Sequence, residues 1–131
     1  MELTPYVREI LSEIKSGGTS AIKNYSEKFD NYSGSIKVDL DSVRPEKKIP
    51  AEDQELLEKV IERVKNYHEK QKTDDELFFQ EGSTYGRVFR SIARVGLYVP
   101  GGQPLPSSVI MTAVPARIAG VEDIVMTSPP E

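Results

Sequence analysis

The hydrophobic pattern changes period twice towards the carboxyl end of the chain. Residues Val95 to Val99 form a mostly apolar run of strand length, apolar positions then recur at helical spacing from Ser107 to Ile118, and a second short apolar run covers Ile124 to Met126. Strand, helix and strand within about thirty residues predict a βαβ unit, in which the two strands lie parallel and the crossover is right-handed. The predicted fold class is therefore α/β, with an incomplete Rossmann-like unit at this end.

Small and polar residues mark the ends of the predicted crossover helix. Ser107 or Ser108 is the expected N-cap, because a serine side chain accepts a hydrogen bond from the first turn of a helix. Gly120 lies just past the last apolar position, where a C-terminal glycine is typical. Pro115 falls inside the helix, where it removes a backbone hydrogen bond and predicts a bend. The bend would leave Ser107 to Val114 as a short first segment.

Helical spacing also dominates the amino-terminal half of the chain. Gly17-Gly18 ends one predicted helix, and Thr19 caps a second one. We expect the two helices to form a helical hairpin, which makes residues 1–35 an amino-terminal arm. A longer helix is predicted from about Ala51 to about Lys72, because its apolar positions recur at helical spacing along one face.

Strands are predicted on both sides of this long helix. Residues Ile36 to Leu40 alternate between apolar and charged side chains, which indicates a short half-buried strand or an extended segment. The stretch from Leu77 to Val99 is predicted to be rich in strands, with Gly82 and Gly86 as turn residues. Residues 36–131 are therefore assigned to one incomplete Rossmann-like domain.

Charge and composition narrow the range of partners. The chain has 17 basic and 21 acidic residues and a net charge of -4. It lacks a basic stripe, which makes nucleic acid an unexpected partner. The absence of cysteine excludes disulfides and thiolate zinc sites. No apolar run approaches about eighteen residues, and Met1 begins no signal peptide, so we expect a soluble cytoplasmic protein with no membrane partner.

Three arginines precede the first predicted parallel strand. Arg87, Arg90 and Arg94 recur at spacings of three and four, which would place them on both faces of a strand. We interpret them as edge charges that discourage association between sheets. A basic binding patch is the alternative interpretation.

A candidate ligand site follows from the parallel strands, because their carboxyl ends emerge at the same edge of the sheet. Pro100-Gly101-Gly102 and Ser128-Pro129-Pro130 should be neighbours at that edge, where open α/β sheets bind their ligands. Two glycines let the backbone approach a ligand closely, and the helix beginning at Ser107 suits a phosphate. A tight strand-to-helix turn is the alternative, since the sequence has neither the G-x-G-x-x-G fingerprint nor a P-loop.

Other residues with potential chemistry are interpreted as structural. His68 is the only histidine and lies late in a polar helix beside Glu69 and Lys70, without further ligands at metal-binding spacing. Asp74-Asp75-Glu76 has the composition of a charged turn, because the further oxygen ligands of a divalent-metal loop do not follow. The sequence therefore predicts no catalytic residue and no metal ligand in this chain.

The most specific signal is a resemblance to a known family. The string V-G-L-Y-V-P-G-G, followed by P-S-S-V-I-M-T-A-V-P-A-R-I-A-G-V and then I-V-M-T-S-P-P, resembles the signature near the amino end of histidinol dehydrogenase. The stretches Tyr25 to Asp30 and Tyr67 to Lys72 also resemble parts of that family. The resemblance implies histidine biosynthesis by an NAD-dependent homodimer, which oxidises L-histidinol to L-histidine through an aldehyde and passes two hydrides to two NAD molecules. It also implies a zinc ion that holds the substrate and a glutamate and histidine pair for acid–base steps.

The resemblance assigns roles to residues at the predicted edge. Tyr98 matches the family's tyrosine that contacts NAD, Pro100, Gly101 and Gly102 shape the loop beneath it, and Ser107 is placed to reach a phosphate. The alternative for Tyr98 is a core tyrosine with a satisfied hydroxyl. Since the chain has one histidine in unsuitable surroundings, the zinc ligands and the acid–base pair are expected beyond Glu131.

The same resemblance bears on the extent of the chain. Members of the family are several times longer, and the pattern here stops after a parallel strand, although parallel sheets are normally covered on both faces. We expect an amino-terminal piece of a larger enzyme, inactive by itself. The alternative is a non-enzymatic module for helical assembly or nucleotide binding. An open reading frame that continues past Glu131 with histidine-bearing segments would favour the enzyme.

Overall fold

The computed structural model describes residues 3–39, 48–102 and 105–130 of the chain. These residues form, in order, α1 (Leu3–Asp30), α2 (Ala51–Glu69), β1 (Glu76–Gln80), β2 (Ser83–Arg87), β3 (Arg94–Tyr98), α3 (Pro106–Ile118) and β4 (Asp123–Thr127). The described residues up to Asp39 belong to one compact unit and residues 48–129 to another. The predicted division into residues 1–35 and 36–131 stays a prediction. None of these three helices combines the length and apolar character needed to cross a bilayer.

The first helix consists of two segments that meet at Gly18. This residue has φ 56° and ψ −137°, which is not helical and which glycine adopts without steric cost. The Tyr25 hydroxyl donates a hydrogen bond of 2.7 Å to Oε2 of Glu13, 12 positions earlier in the chain. In a straight helix these residues would be about 18 Å apart along the axis. The segments therefore fold back on each other, which confirms the predicted helical hairpin.

The segment after α1 forms no strand where the structure describes it. Residues 36–39 make no ladder pairing with any other described residue, so the strand interpretation is wrong for them. Leu40, the last residue of that predicted strand, lies outside the described residues. Alternating side chains favour a strand only when a neighbouring strand accepts the backbone hydrogen bonds.

The second helix packs against α3 through its apolar stripe. It begins after Pro50 and ends at Glu69, three residues before the predicted end at Lys72. Leu57, Val60 and Val64 are half-buried along the stripe, and α2 and α3 are in contact. This packing joins α2 to the βαβ unit.

An antiparallel hairpin follows α2, formed by β1 and β2. Glu81 and Gly82 connect its strands with positive φ angles of 50° and 79°, as in a two-residue type I′ turn. Gly82 is therefore a turn residue, as predicted. Gly86 is not, because it lies inside β2 opposite Leu77. A Cβ at Gly86 would come 1.9 Å from the carbonyl oxygen of Glu76, so glycine permits the close approach of the two strands.

The carboxyl end forms the predicted parallel βαβ unit. Strands β3 and β4 pair in parallel from Arg94↔Asp123 to Tyr98↔Thr127, and α3 provides the crossover. Among the described residues the buried hydrophobic side chains are confined to this unit and its borders, at Val99, Ile110 and Val121. The parallel pairing is confirmed, whereas the further strands of a Rossmann-like sheet stay a prediction.

The ends of α3 agree only in part with the predicted caps. The N-cap is Leu105 with Pro106 as the first helical residue, so Ser107 and Ser108 lie inside the first turn and neither caps the helix. Proline is favoured at this position because its φ is already helical and its missing N–H would have no intrahelical partner. The helix continues through Pro115 to Ile118 as one element, and the bend expected at Pro115 stays a prediction.

The C-terminal end of α3 is a Schellman motif, as Gly120 predicts. Gly120 has φ 84°. Its N–H donates to the carbonyl of Arg117 at 3.0 Å, and the N–H of Val121 donates to the carbonyl of Ala116 at 3.1 Å. Val121 is buried immediately after the turn, which fixes the direction in which the chain enters β4.

Candidate nucleotide-binding rim

The loops after β3 and β4 meet at one edge of the parallel sheet. Tyr98 and Thr127 are paired at the ends of their strands, and the N–H of Val99 donates to the carbonyl of Thr127 at 2.9 Å. A Cβ at Gly101 would lie 3.4 Å from ring carbons of Pro129. We call this edge, formed by residues 98–102 and 127–129, the carboxyl rim. The prediction that the two loops are neighbours is confirmed.

Two glycines keep the centre of the rim open. Gly102 has φ 95°, a conformation that side-chain-bearing residues rarely adopt, and a Cβ there would meet no other atom within 4 Å. At Gly101 a side chain would fill the remaining space beside Pro129. The pair therefore leaves backbone groups accessible where a ligand would cross from one loop to the other.

Tyr98 is the largest exposed side chain of the rim. Its side chain is 63% exposed, and its hydroxyl has no hydrogen-bond partner among the described residues. Val95, Leu97 and Val99 are half-buried or buried on the side where α3 packs, while alternate residues including Tyr98 are exposed. The ring thus lies on the sheet face away from α3, and the alternative of a core tyrosine with a satisfied hydroxyl does not apply within the described part of the chain.

The start of α3 offers fewer backbone donors than the sequence predicts. Pro106 has no N–H, and the N–H of Ser108 donates to the carbonyl of Leu105 at 3.0 Å. Ser107 is exposed, one residue inside the helix, so its hydroxyl is free of a capping role. Gln103 and Pro104, which connect the rim to α3, lie outside the described residues. The described rim carries no charged side chain, so an anion there would depend on backbone groups, hydroxyls and the helix dipole.

Thr127 belongs to the rim and was absent from the predicted site. Its carbonyl anchors Val99, and its position opposite Tyr98 fixes the level at which the two strands end. The signal that could have identified it is its place directly after the second apolar run of the sequence. In a parallel pair this position must face the end of the first run.

Metal-binding chemistry is not available in the described residues. Across residues 3–39, 48–102 and 105–130, no three His, Cys, Asp or Glu side chains converge so that they could hold a metal ion. Zinc requires such convergence of about four ligands. The described residues therefore do not fit a zinc site by themselves.

His68 lies away from the rim, in the last turn of α2. Its Nδ1 is 2.7 Å from Oε1 of Gln71, and its ring packs edge-on against Tyr67. The histidine lines a cleft of about 680 Å³ together with Asp74, Asp75 and residues that precede β3. This cleft is near the amino ends of the parallel strands, opposite the rim.

The three arginines before and at β3 are all paired with acids. Arg87 contacts Glu76, Arg90 lies 3.6 Å from Asp75, and Arg94 contacts Asp123. All of these side chains are exposed, so the pairs contribute little stability. Because each arginine has an acidic neighbour, the arginines do not form a basic patch.

Comparison with known proteins identifies the family of this chain. A family model described as histidinol dehydrogenase matches residues 1–131. A relative named histidinol dehydrogenase from Thermococcus kodakarensis is 48% identical over 98% of this chain and 35% of its own length. Another, from Dechloromonas aromatica, is 39% identical over 92% of this chain and 29% of its own length.

A solved structure agrees with these sequence matches. The crystal structure of histidinol dehydrogenase from Elizabethkingia anophelis superimposes with a TM-score of 0.84 at 28% identity. The match covers 100% of this chain and 31% of that chain. The chain therefore spans about a third of the length of the relatives that it matches.

Proposed function

We propose, since this chain belongs to the histidinol dehydrogenase family, that it supplies the amino-terminal third of an enzyme that oxidises L-histidinol to L-histidine with NAD. The reaction removes four electrons in two hydride transfers and serves histidine biosynthesis. The family match over the whole chain supports this assignment, as does the coverage of about a third of each longer relative. The chain alone is expected to be inactive.

The observation that carries the proposal is the meeting of the two loops at the carboxyl rim. Parallel α/β sheets bind ligands at this edge, and the paired ends Tyr98 and Thr127 bring the two loops to the same level. We assign Tyr98, Pro100, Gly101, Gly102 and Ser107 to the NAD site.

Each assigned residue has a distinct role in holding the nucleotide. The exposed ring of Tyr98 packs against it, and the free hydroxyl donates or accepts a hydrogen bond. Gly101 and Gly102 let the backbone approach, Pro100 fixes the direction of the loop, and the Ser107 hydroxyl donates to a phosphate oxygen. When bound, NAD supplies the hydride acceptor.

The remaining machinery comes from outside the described residues. The zinc ligands and the glutamate and histidine pair of the family are assigned to the part of a family-length polypeptide that this chain does not match, because no metal-binding group converges in the described residues. We also assign the enzyme to the cytoplasm as a homodimer, with no nucleic-acid or membrane partner. The net charge of -4 is consistent with the lack of a nucleic-acid partner.

Replacing Tyr98 tests the cofactor assignment. We would fuse this chain to the part of the Thermococcus relative beyond the matched third and measure NAD binding by calorimetry and turnover by NADH formation. Tyr98→Ala removes a ring contact and a hydrogen bond together worth about 1–2 kcal/mol, so the Kd for NAD should rise about 5- to 30-fold. Tyr98→Phe should show only part of this loss.

Tyr85→Ala is the matched control, because Tyr85 is an exposed tyrosine on a strand of the other sheet, with 54% of its side chain accessible. It should leave the Kd for NAD unchanged. Equal NAD affinity for Tyr98→Ala and the parent fusion would refute the cofactor role of Tyr98. A fusion that binds NAD without oxidising histidinol would instead contradict the proposed reaction.

A further inference from the structure

The two faces of the β1–β2 hairpin differ in how completely their side chains are partnered. On one face Glu76 contacts Arg87, the rings of Phe78 and Tyr85 stack with centroids 5.6 Å apart, and the Tyr85 hydroxyl donates to Gln80 at 3.1 Å. The side chains of this complementary face therefore contact one another across the strands, although Phe78 and Tyr85 remain 49% and 54% exposed. Such cross-strand contacts stabilise the hairpin from within.

The opposite face is apolar and has no such partners. By strand alternation it carries Leu77 opposite Gly86 and Phe79 opposite Thr84. Leu77 is 57% and Phe79 is 77% exposed. Gly86 adds no side chain beside Leu77, because the backbone of β1 fills the space that its Cβ would need, so Leu77 and Phe79 are the large side chains of this face. We call these four residues the bare face.

The hairpin is poorly supported by the rest of its own unit. A two-stranded hairpin is marginal in water unless a hydrophobic face packs on another element. Within residues 48–129 no other helix or strand makes extensive contact with β1 or β2. The hairpin is held at its base, where the N–H of Phe89 donates to Asp75 at 2.8 Å and Arg90 lies beside the same carboxylate.

We propose that the bare face is the docking surface for the part of a family-length histidinol dehydrogenase polypeptide that lies outside this chain. The relatives are about three times as long as the matched segment, so most of each relative lies beyond it. The occupant is an apolar segment that packs against the exposed side chains of Leu77 and Phe79. The complementary face with Phe78 and Tyr85 remains in solvent.

A second copy of the chain is a weaker candidate for the occupant. Two bare faces packed against each other would bury two large side chains per copy, and an aromatic side chain contributes about 150–250 Å². A stable interface between separate proteins needs about 800 Å² from each partner. A segment of the same polypeptide can dock with a much smaller area, because the entropic cost of association is largely absent.

Cysteine labelling tests the proposal, because the chain has no cysteine of its own. Thr84→Cys places a thiol on the bare face, and Ser83→Cys places a thiol of nearly the same size on the complementary face as the matched control. Both sites lie in the tryptic peptide of residues 73–87, so mass spectrometry reports their reaction with N-ethylmaleimide separately from cysteines elsewhere. Rates are compared between the isolated chain and its fusion to the remaining part of the Thermococcus relative.

We expect the labelling rate at Thr84→Cys to fall about tenfold or more in the fusion, since thiol reactivity follows exposure. The rate at Ser83→Cys should change by less than about twofold. Equal rates at Thr84→Cys in the two proteins, or equal protection at both sites, would overturn the proposal. A rate at Thr84→Cys that slows as the isolated chain is concentrated would also overturn it, by identifying a second copy as the occupant.

Thermal unfolding provides an independent measurement. Phe79→Ser should lower the Tm of the fusion but not that of the isolated chain, where Phe79 is exposed. An unchanged Tm of the fusion would contradict docking at this face. The docking proposal depends on family membership and not on the cofactor assignment. A fusion in which the cysteine of Thr84→Cys is protected from labelling but which shows no turnover with NAD would therefore support docking and contradict the proposed activity.

Discussion

Replacing Gly120 with alanine tests the turn that directs the chain from α3 into β4. Gly120 has φ 84°, a left-handed conformation that costs an L-residue about 1–2 kcal/mol. An alanine Cβ would also lie 3.2 Å from the Cβ of Ser91, which is tighter than an ordinary contact. We therefore expect Gly120→Ala to lower the free energy of unfolding by about 1–3 kcal/mol.

Gly96→Ala is the matched control, because Gly96 belongs to the same βαβ unit but has neither feature. Its φ is not positive, and a Cβ there would meet no atom within 4 Å. Alanine at such a site reduces the conformational entropy of the unfolded chain. It should raise the free energy of unfolding by about 0.4–1 kcal/mol. The two substitutions are thus expected to have opposite signs.

Urea unfolding followed by far-ultraviolet circular dichroism measures both effects. With a slope of about 1–3 kcal/mol per M, a difference of about 2 kcal/mol separates the two midpoints by roughly 1 M. A midpoint for Gly120→Ala that equals or exceeds that of Gly96→Ala would refute the reasoning. Gly120→Asn separates the causes, because asparagine tolerates the left-handed conformation. If it recovers no stability, the contact with Ser91 dominates.

Two further predictions concern the arm and the hairpin. The hydrogen bond to Glu13 raises the pKa of Tyr25 to about 12. Its stabilising effect is complete below the ordinary value of 10.0 and is lost as the pH rises through about 12. The tyrosinate difference spectrum between the native chain and Tyr25→Phe should therefore titrate near pH 12. Glu13→Gln should lower the pKa of Tyr25. Titration of Tyr25 near pH 10 in the native chain would contradict the hydrogen bond. Glu81→Asn should stabilise the type I′ turn by about 0.5–1 kcal/mol and slow hydrogen exchange across residues 76–87, whereas unchanged exchange would contradict the turn geometry.

Features with a local cause could be predicted from the sequence. The parallel βαβ unit was predictable because two strand-length apolar runs flank a helical period, and Gly120 marks the end of that helix. The break in α1 at Gly18 also has a local cause, because two adjacent glycines interrupt a helical pattern. The meeting of the rim loops then follows from topology alone, because parallel strands end at the same edge.

Features that depend on distant residues could not be predicted in this way. A glycine such as Gly86 is typical of a turn, but here it lies inside β2. It allows the two strands to approach closely, because a Cβ would collide with the carbonyl oxygen of Glu76 across the hairpin. The segment from residue 36 alternates like a strand but has no described partner strand. The start of α3 is a different case, because it could have been predicted from the sequence. Proline is favoured at the first helical position, so Pro106 indicates a start one residue before Ser107.

The positions of Tyr98 and Ser107 explain why glycines lie between them if the rim holds NAD as proposed. Tyr98 lies on the sheet face away from α3, whereas Ser107 belongs to α3. A nucleotide that contacts both must cross the end of the sheet at Gly101 and Gly102, where a side chain at Gly101 would close the space beside Pro129. The pyrophosphate is the thin, charged part of NAD, and the uncharged rim and the start of α3 would hold it through backbone groups, the α3 dipole and the Ser107 hydroxyl. The nucleotide would therefore cross the sheet at Gly101 and Gly102, where it needs contact with backbone groups and where no side chain blocks that contact.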